Sequence, residues 1–539
     1  MGRQLLGFMR RTHHEARLGA FRGITGSANE SAWTNPRPIA GGCISSSASG
    51  YLARILTSQV YEAAVETPLT FAANLSSRIG HHVYLKREDT QPVFSFKIRG
   101  AYNKIASLTP EQRQKGVVTC SAGNHAQGVA LSACKLGINA VIVMPLATPS
   151  IKVDAVRRFG GPTVTVKLHG QNFDAAAAEA RKMVHELGLT MIHPFDDAHV
   201  IAGQGTIGME ILKLLNGKKL DVIFACVGGG GLLSGIAALV KALRPEVKVI
   251  GVEADDAAGM TKSLQAGKVV TLPQVGLFAD GAAVRTVGTE TFSLCNELVD
   301  EMITVSTDEI CAAIKLGFND TRCVLEPAGA LAIAGLVKYS RRRQPGASNS
   351  DDDKKTYVAV SSGANMDFDR LRFVSERADS SETLMSVAIP ERPGSFRELY
   401  SIIHPRNVTE FSYRCNGSDR ANVYVSYQSI SGRSLDEDKP ILRDALSSKG
   451  YTVTDLSANE MAKAHARHLA GGRRLQADDG NGSKELVYRF EFPEAPGALD
   501  KFLHTINQGL SLCLPAEVAL NCVTDPSFPL FLPLPKAGA

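Results

Sequence analysis

The sequence predicts an α/β protein: two lobes of parallel sheet covered by helices, followed by smaller α+β modules. Three observations carry this. From Tyr51 to about Phe373, short apolar runs alternate with longer helical patterns, as parallel strands with crossover helices require. Small-residue loops, Ser121-Ala122-Gly123 and Gly228-Gly229-Gly230-Gly231, stand where strands pass into helices. After Ser375 the texture changes, and a strand, a Pro-Gly turn and a helix recur twice.

Residues 1–50 carry Arg3, Arg10, Arg11, Arg17, Arg22 and Arg37 against only Glu15 and Glu30, with frequent Ser and Gly and no long apolar run. That is the composition of a transit peptide, expected to lack fixed structure. In the body, 51–375, strands are expected at His82–Lys86, Gly116–Cys120, Ala140–Met144, Thr163–Leu168, Leu220–Val227, Lys248–Glu253 and Tyr357–Ser361. Helices are expected at Phe96–Ser107, His125–Leu136, Lys152–Phe159, Asp174–Leu187 and Leu232–Leu243. Residues 340–355 are charge blocks around Pro, Gly and Ser and read as a solvated loop. The first repeat, 383–457, reads as a βαββαβ module: Leu384–Ile389, a helix after Pro393-Gly394, Val408–Arg414, Asn422–Tyr427, Lys439–Ser448 and Tyr451–Leu456. The second, 485–539, stops matching after Gln508 and ends in a proline-rich tail unsuited to central strands, so it reads as incomplete.

Composition narrows the function classes. The 539 residues suit three or four domains at about 150 residues each. A net charge of +5, with no basic stripe interleaved with aromatics, argues against nucleic acid. Ten cysteines without CxxC or Cys/His spacing argue for thiols in a reducing compartment and against a disulfide frame or a metal site. The most apolar window, Ile223–Val240, holds four consecutive glycines and suits a buried strand–turn–helix, not a membrane span.

The chemistry centres on Ser95-Phe96-Lys97-Ile98-Arg99-Gly100. A lysine among apolar neighbours loses hydration, which favours the neutral, nucleophilic amine a Schiff base needs. Alone, the stretch favours a lysine with packed stem and solvated head; the stretches that follow reverse that. The run Gly228–Gly231 follows a strand and opens a helix, a place for a phosphate as well as for a tight turn. Ser121-Ala122-Gly123-Asn124 at another helix start can hold a carboxylate, or simply cap the helix through Ser121 or Asn124; His125 reads as structural. Ser362, in Ser361-Ser362-Gly363-Ala364-Asn365 at the end of a strand, can meet a ring nitrogen or close a turn.

Taken in order, these stretches resemble the fold type II pyridoxal-phosphate enzymes, and within them the biosynthetic threonine dehydratases. Pro194-Phe195-Asp196-Asp197, Gly203-Gln204-Gly205-Thr206-Ile207-Gly208 and Leu325-Glu326-Pro327-Ala328-Gly329-Ala330 add to the likeness, which runs from about Tyr51 to Gln508. The resemblance implies pyridoxal 5'-phosphate as cofactor, no catalytic metal, and dehydration and deamination of threonine, or of serine. It implies Lys97 as Schiff-base lysine and base, and Phe96 beside the ring. It further implies Asn124 at the ring oxygen, Ser362 at the ring nitrogen, and Gly228, Gly229, Gly230, Gly231 and Leu232 at the phosphate. Ser121, Ala122, Gly123 and Asn124 would hold the substrate carboxylate. The C-terminal modules resemble ACT-like regulatory domains, implying isoleucine or valine as effectors, a homo-oligomer, and Tyr413 as an effector contact. The likeness reads as nearer to plant than to fungal members, implying a plastid, with the mitochondrion as alternative. A serine-preferring dehydratase or racemase, and an amino-acid sensor with a silent catalytic lobe, are the competing readings.

Overall fold

A computed structural model describes residues 32–36, 46–342, 354–378, 382–390, 392, 395–415, 420–429 and 435–457. The strands of the body are β1 (Ala32–Thr34), β2 (Leu69–Phe71), β3 (His82–Arg87), β4 (Val117–Cys120), β5 (Ala140–Met144), β6 (Val164–Leu168), β7 (Thr190–Met191), β8 (Val222–Cys226), β9 (Lys248–Ala254), β10 (Glu301–Val305) and β11 (Thr356–Ser361). They form two sheets.

The larger sheet runs β1-β10-β9-β8-β11-β3-β2. Its five inner strands are parallel, and β1 and β2 close the edges antiparallel. Strands β8 and β11 are buried at every residue. Sheets covered on both faces need such unbroken apolar runs, which is why these strands are legible in sequence. The smaller sheet runs β6-β5-β4-β7, all parallel, over its own core of Val117, Val129, Ile142 and Val156.

The helix Lys97–Ala106 packs against both Asn124–Leu136 and Ala198–Leu215. Glycines permit the close approach. A Cβ on Gly128 would lie 3.1 Å from the Lys97 carbonyl carbon, and one on Gly203 would lie 2.8 Å from Arg99 O. The helix Ala198–Leu215 is absent from the sequence reading because Gly203, Gly205 and Gly208 dilute its pattern; each costs about 1 kcal/mol against alanine in a helix. Here the lost propensity is offset by buried helix contact.

The N-terminal expectation needs correction. The stretch 1–50, read as a structureless leader, contains β1 and the start of the helix Ser46–Leu56. Ala32 pairs with Ile303, and Asn35 Nδ2 donates to Val299 O at 3.0 Å. Tyr51, chosen as the boundary, lies mid-helix, its hydroxyl donating to Glu290 at 2.9 Å. A three-residue strand has no periodicity to read; the exposed edge of β10 organises it. Likewise, residues 340–342, assigned to a loop, finish the helix Pro327–Arg342, and 343–353 lie outside the described residues.

The C-terminal module contains β12 (Glu382–Pro390), the helix Ser395–Ile403, β13 (Asn407–Cys415), β14 (Arg420–Gln428), the helix Leu435–Ser448 and β15 (Thr452–Asp455). Its sheet runs β13-β14-β12-β15, antiparallel throughout. Leu399, Ile403, Leu442 and Leu446 from the helices share a core with Met385, Val387 and Val425. Arg406 and Asp438 make a bidentate buried pair at 2.8 Å, tying the first turn of the second helix to the segment before β13. Tyr413 stands on β13, in register with Val423 of β14. The expected second module, 485–539, lies outside the described residues.

Candidate active site

The segment before Lys97 is laced to the chain leaving β11. Phe96 N donates to Ser362 O at 3.1 Å, Ala364 N donates to Phe94 O at 2.9 Å, and Ser95 bridges Gly363. Phe94 adopts φ +56°, a left-handed conformation costing a non-glycine residue about 1–2 kcal/mol. That turn brings Ser95 and Phe96 against β11 and sets Lys97 at the first turn of its helix.

Lys97 is half-buried as a residue, with its amine enclosed. Nζ donates to Pro194 O at 2.9 Å and lies 5.3 Å from the Phe96 ring centroid. Burial pulls its pKa down from 10.5 to about 8, while Cys226 and Glu326 act in the opposite direction. With that pKa, about a tenth of the amine is neutral at pH 7.

Beyond β8 the chain passes through Gly228–Gly230 into the helix Gly231–Leu243. Gly230 has φ +98°. A Cβ on Gly229 would sit 2.2 Å from the Phe195 ring, and one on Gly230 would sit 2.6 Å from Met260 Cε. Thr291 Oγ1 donates to Gly229 O at 2.6 Å and steadies the loop. No side chain caps this helix, so its first N–H groups remain available to an anion.

The N-cap of the helix Asn124–Leu136 is Gly123, so the alternative reading of Ser121 or Asn124 as a simple cap does not hold. Asn124 is turned away from its own helix: Nδ2 donates to Glu326 Oε1 at 2.6 Å, and Oδ1 accepts from Asn365 Nδ2 at 2.7 Å. Ser121, Ala122 and Gly123 are half-buried beside it. His125 is structural: it is buried, with Nε2 3.0 Å from Ile192 O, and desolvation drives its pKa down to about 3. Ser362 is buried, its hydroxyl donating to Ala328 O at 3.2 Å and receiving the Cys226 thiol at 3.2 Å.

Glu326, Asn365 and Cys226 escaped the sequence reading. Glu326 had a signal, a carboxylate before a proline that opens a helix, yet its role depends on partners far along the chain. Its burial raises the carboxyl pKa to about 7, with Asp280 adding to the rise.

The arrangement fits pyridoxal phosphate. A partly neutral lysine amine faces the site. The loop Gly228–Gly231 forms a cradle that Cβ atoms would fill, at an uncapped helix start. A serine hydroxyl and an amide stand nearby.

Comparison with known proteins agrees. The family described as "Pyridoxal-phosphate dependent enzyme" matches residues 60–363, and "C-terminal regulatory domain of Threonine dehydratase" matches 375–466. The mitochondrial threonine dehydratase of Schizosaccharomyces pombe is 52% identical over 467 residues, covering 86% of this chain and 75% of that protein. The chloroplastic biosynthetic threonine dehydratase 1 of Solanum lycopersicum is 48% identical over 467 residues, covering 86% and 74%. The fungal protein is the more similar of these two, against the expected plant likeness. The solved structure of the processed form of threonine deaminase isoform 2 from Solanum lycopersicum matches with a TM-score of 0.60 at 48% identity, over 64% of this chain and 97% of that one. The lysine site, the glycine cradle and these likenesses converge: the chain belongs to the pyridoxal-phosphate-dependent threonine dehydratase family, with the fold type II catalytic architecture and a C-terminal regulatory domain.

Proposed function

We propose that the chain dehydrates and deaminates L-threonine to 2-oxobutanoate and ammonia, the first step of isoleucine biosynthesis. The observation that carries this reading is the enclosed Lys97 amine beside the Gly228–Gly231 cradle, in a chain with this family's regulatory domain.

In this reading Lys97 anchors the cofactor and, once free, takes the proton from the substrate α-carbon as general base. Its pKa of about 8 suits that exchange. The backbone N–H groups of Gly228, Gly229, Gly230, Gly231 and Leu232 hold the phosphate. Asn124 donates to the ring oxygen, Ser362 meets the ring nitrogen, and Phe96 flanks the ring. Ser121, Ala122, Gly123 and Asn124 hold the substrate carboxylate and orient the α-hydrogen toward Lys97. When bound, pyridoxal phosphate supplies an electron sink for charge developing at that carbon. Loss of water leaves an enamine, whose imine tautomer is hydrolysed: a water adds at the α-carbon, ammonia leaves, and the 2-oxo acid remains.

Isoleucine and valine are the proposed effectors, with Tyr413 as a contact, in a homo-oligomer. Residues before β1 direct the chain to an organelle, the plastid first and the mitochondrion second. Import of a fusion carrying residues 1–50 into each isolated organelle separates these addresses.

The test is turnover by the purified full chain, with 2-oxobutanoate followed from threonine and pyruvate from serine across an isoleucine titration. Threonine turnover suppressed by isoleucine supports the whole reading. A higher kcat/KM for serine favours the serine-preferring alternative. Bound cofactor without turnover favours the sensor.

A further inference from the structure

Asn124 has both ends of its side chain committed. Its Oδ1 accepts from Asn365 Nδ2 at 2.7 Å, and that nitrogen also donates to Val93 O at 2.9 Å. Its Nδ2 donates to Glu326 Oε1 at 2.6 Å. A primary amide nitrogen carries two hydrogens, so one N–H is left to serve the site. The network also settles which way the amide points. Reversed, Asn124 would set an oxygen against the Glu326 carboxyl and a nitrogen against the Asn365 nitrogen.

Glu326 is placed for this task. It is 5% exposed, and its peptide N–H donates to Gly363 O at 3.2 Å. Its Oε1 lies 2.4 Å from where a Cβ on Gly363 would stand and 3.5 Å from one on Gly281, so glycines leave the carboxyl its room. The charged and titratable groups acting on it or sharing its surroundings are Asp280, Lys152, Lys97 and Cys226, and the Asn365 backbone N–H also favours its ionised form.

We propose that Glu326 is a positioning residue: with Asn365 it locks the Asn124 amide so that a single N–H is presented to the cofactor. The proposal rests on the reading of Asn124 as a cofactor contact. A bound ring oxygen then meets a preset donor and not a rotating amide. The negative charge of Glu326 acts in favour of the protonated form at Lys97.

The test compares Glu326→Ala, Glu326→Gln and Asn365→Ala with the parent full chain. Affinity of the apoprotein for pyridoxal phosphate, induced circular dichroism of the bound cofactor, and the pH midpoint of its absorbance are measured. Glu326→Ala should weaken affinity about tenfold, the scale of one lost charge-assisted hydrogen bond, Asn365→Ala about fivefold, the scale of one neutral hydrogen bond, and both should reduce the dichroism. Glu326→Gln can still accept from Asn124. It should keep affinity within about threefold but move the absorbance midpoint to lower pH, because a nearby negative charge is gone. A merely structural role would not move that midpoint. Parent-like affinity in Asn365→Ala together with an unmoved midpoint in Glu326→Gln would overturn the proposal, even if Glu326→Ala fails to fold. Failure of the parent chain itself to bind cofactor would strike the functional reading instead.

Discussion

Two groups of buried charge meet at the start of one helix, and they are balanced in opposite ways. Around Arg99, every charge has a partner. Arg99 pairs with Glu88 at 2.7 Å and with Glu210 at 2.5 Å, and Lys86 pairs with Glu210 at 2.6 Å. Thr67 and Gln91 also donate to Glu88, and Tyr61 donates to Glu210. Burial pushes Glu88 up, but Arg99 and Lys86 outweigh it and leave its pKa below the usual carboxylate range. Two residues earlier, Lys97 has a carbonyl for a hydrogen-bond partner, and Glu326 an amide. Their pKa values move toward each other, to about 8 and about 7. Paired buried charges stay ionised and tie elements together; buried charges without close counter-ions move toward neutrality and become able to exchange protons. The first cluster serves as scaffold, and the proposed function gives the second its chemistry.

The largest effect expected from this contrast is on catalysis. Lys97→Ala should lower threonine turnover at least about 10⁴-fold while leaving the thermal midpoint close to the parent's. A comparable loss of midpoint would show that Lys97 also holds the fold and would break the distinction.

Arg99→Met should do the reverse. It strands the Glu88 carboxylate in the core, leaving Glu210 to Lys86 and Tyr61, and should cost about 3–5 kcal/mol in urea unfolding. Protein that still folds should keep an absorbance midpoint for the bound cofactor near the parent's. An unchanged unfolding midpoint would remove the scaffold role.

The acid side sharpens the contrast further. The His125 pKa is depressed from 6.5 to about 3, so the unfolded chain binds its proton first. Its contribution is fully present above pH 6.5 and is lost as pH falls toward 3. Glu88, with a lowered pKa, gives up stability only below about 4.5, the ordinary value of a solvated glutamate. Glu326, raised to about 7, works the other way, losing stability as pH rises from 4.5 through 7. Replacing the imidazole in His125→Gln should therefore flatten the decline between pH 6.5 and 4.5 by about 2 kcal/mol relative to the parent. Parallel stability curves for the two proteins over that range would contradict the assignment.

The smallest effect lies at the edge of the sheet. A chain starting at residue 51 loses β1 and half of the helix Ser46–Leu56, whereas one starting at 32 keeps both. The shorter form should be less stable by about 1 kcal/mol, read as a lower thermal midpoint. Equal midpoints would make β1 incidental.

Much of the site was legible because its parts are local. Ser95-Phe96-Lys97, Gly228–Gly231 and Ser361-Ser362-Gly363 are contiguous stretches at the ends of strands, where chemistry and backbone geometry are written together. Glu326 and Asn365 were not legible as site residues, because Asn124 reaches them across 202 and 241 positions. Nor was the pairing of Arg99, which reaches Glu210 across 111 positions. Short β1 and the glycine-bearing helix Ala198–Leu215 were hidden for a related reason: their stability comes from what they pack on, not from their own pattern.

The sequence by itself determined the alternation of buried parallel strands with helices, the βαββαβ module and the placing of the lysine stretch and the glycine loop at helix starts. These follow from apolar runs, turn residues and side-chain type, all of which act within a few residues. Tertiary structure alone decided which charges are paired and which are not. Desolvation and Coulomb interaction depend on distance in space and on the exclusion of water, and neither is set until the lobes close around the helix that begins at Lys97.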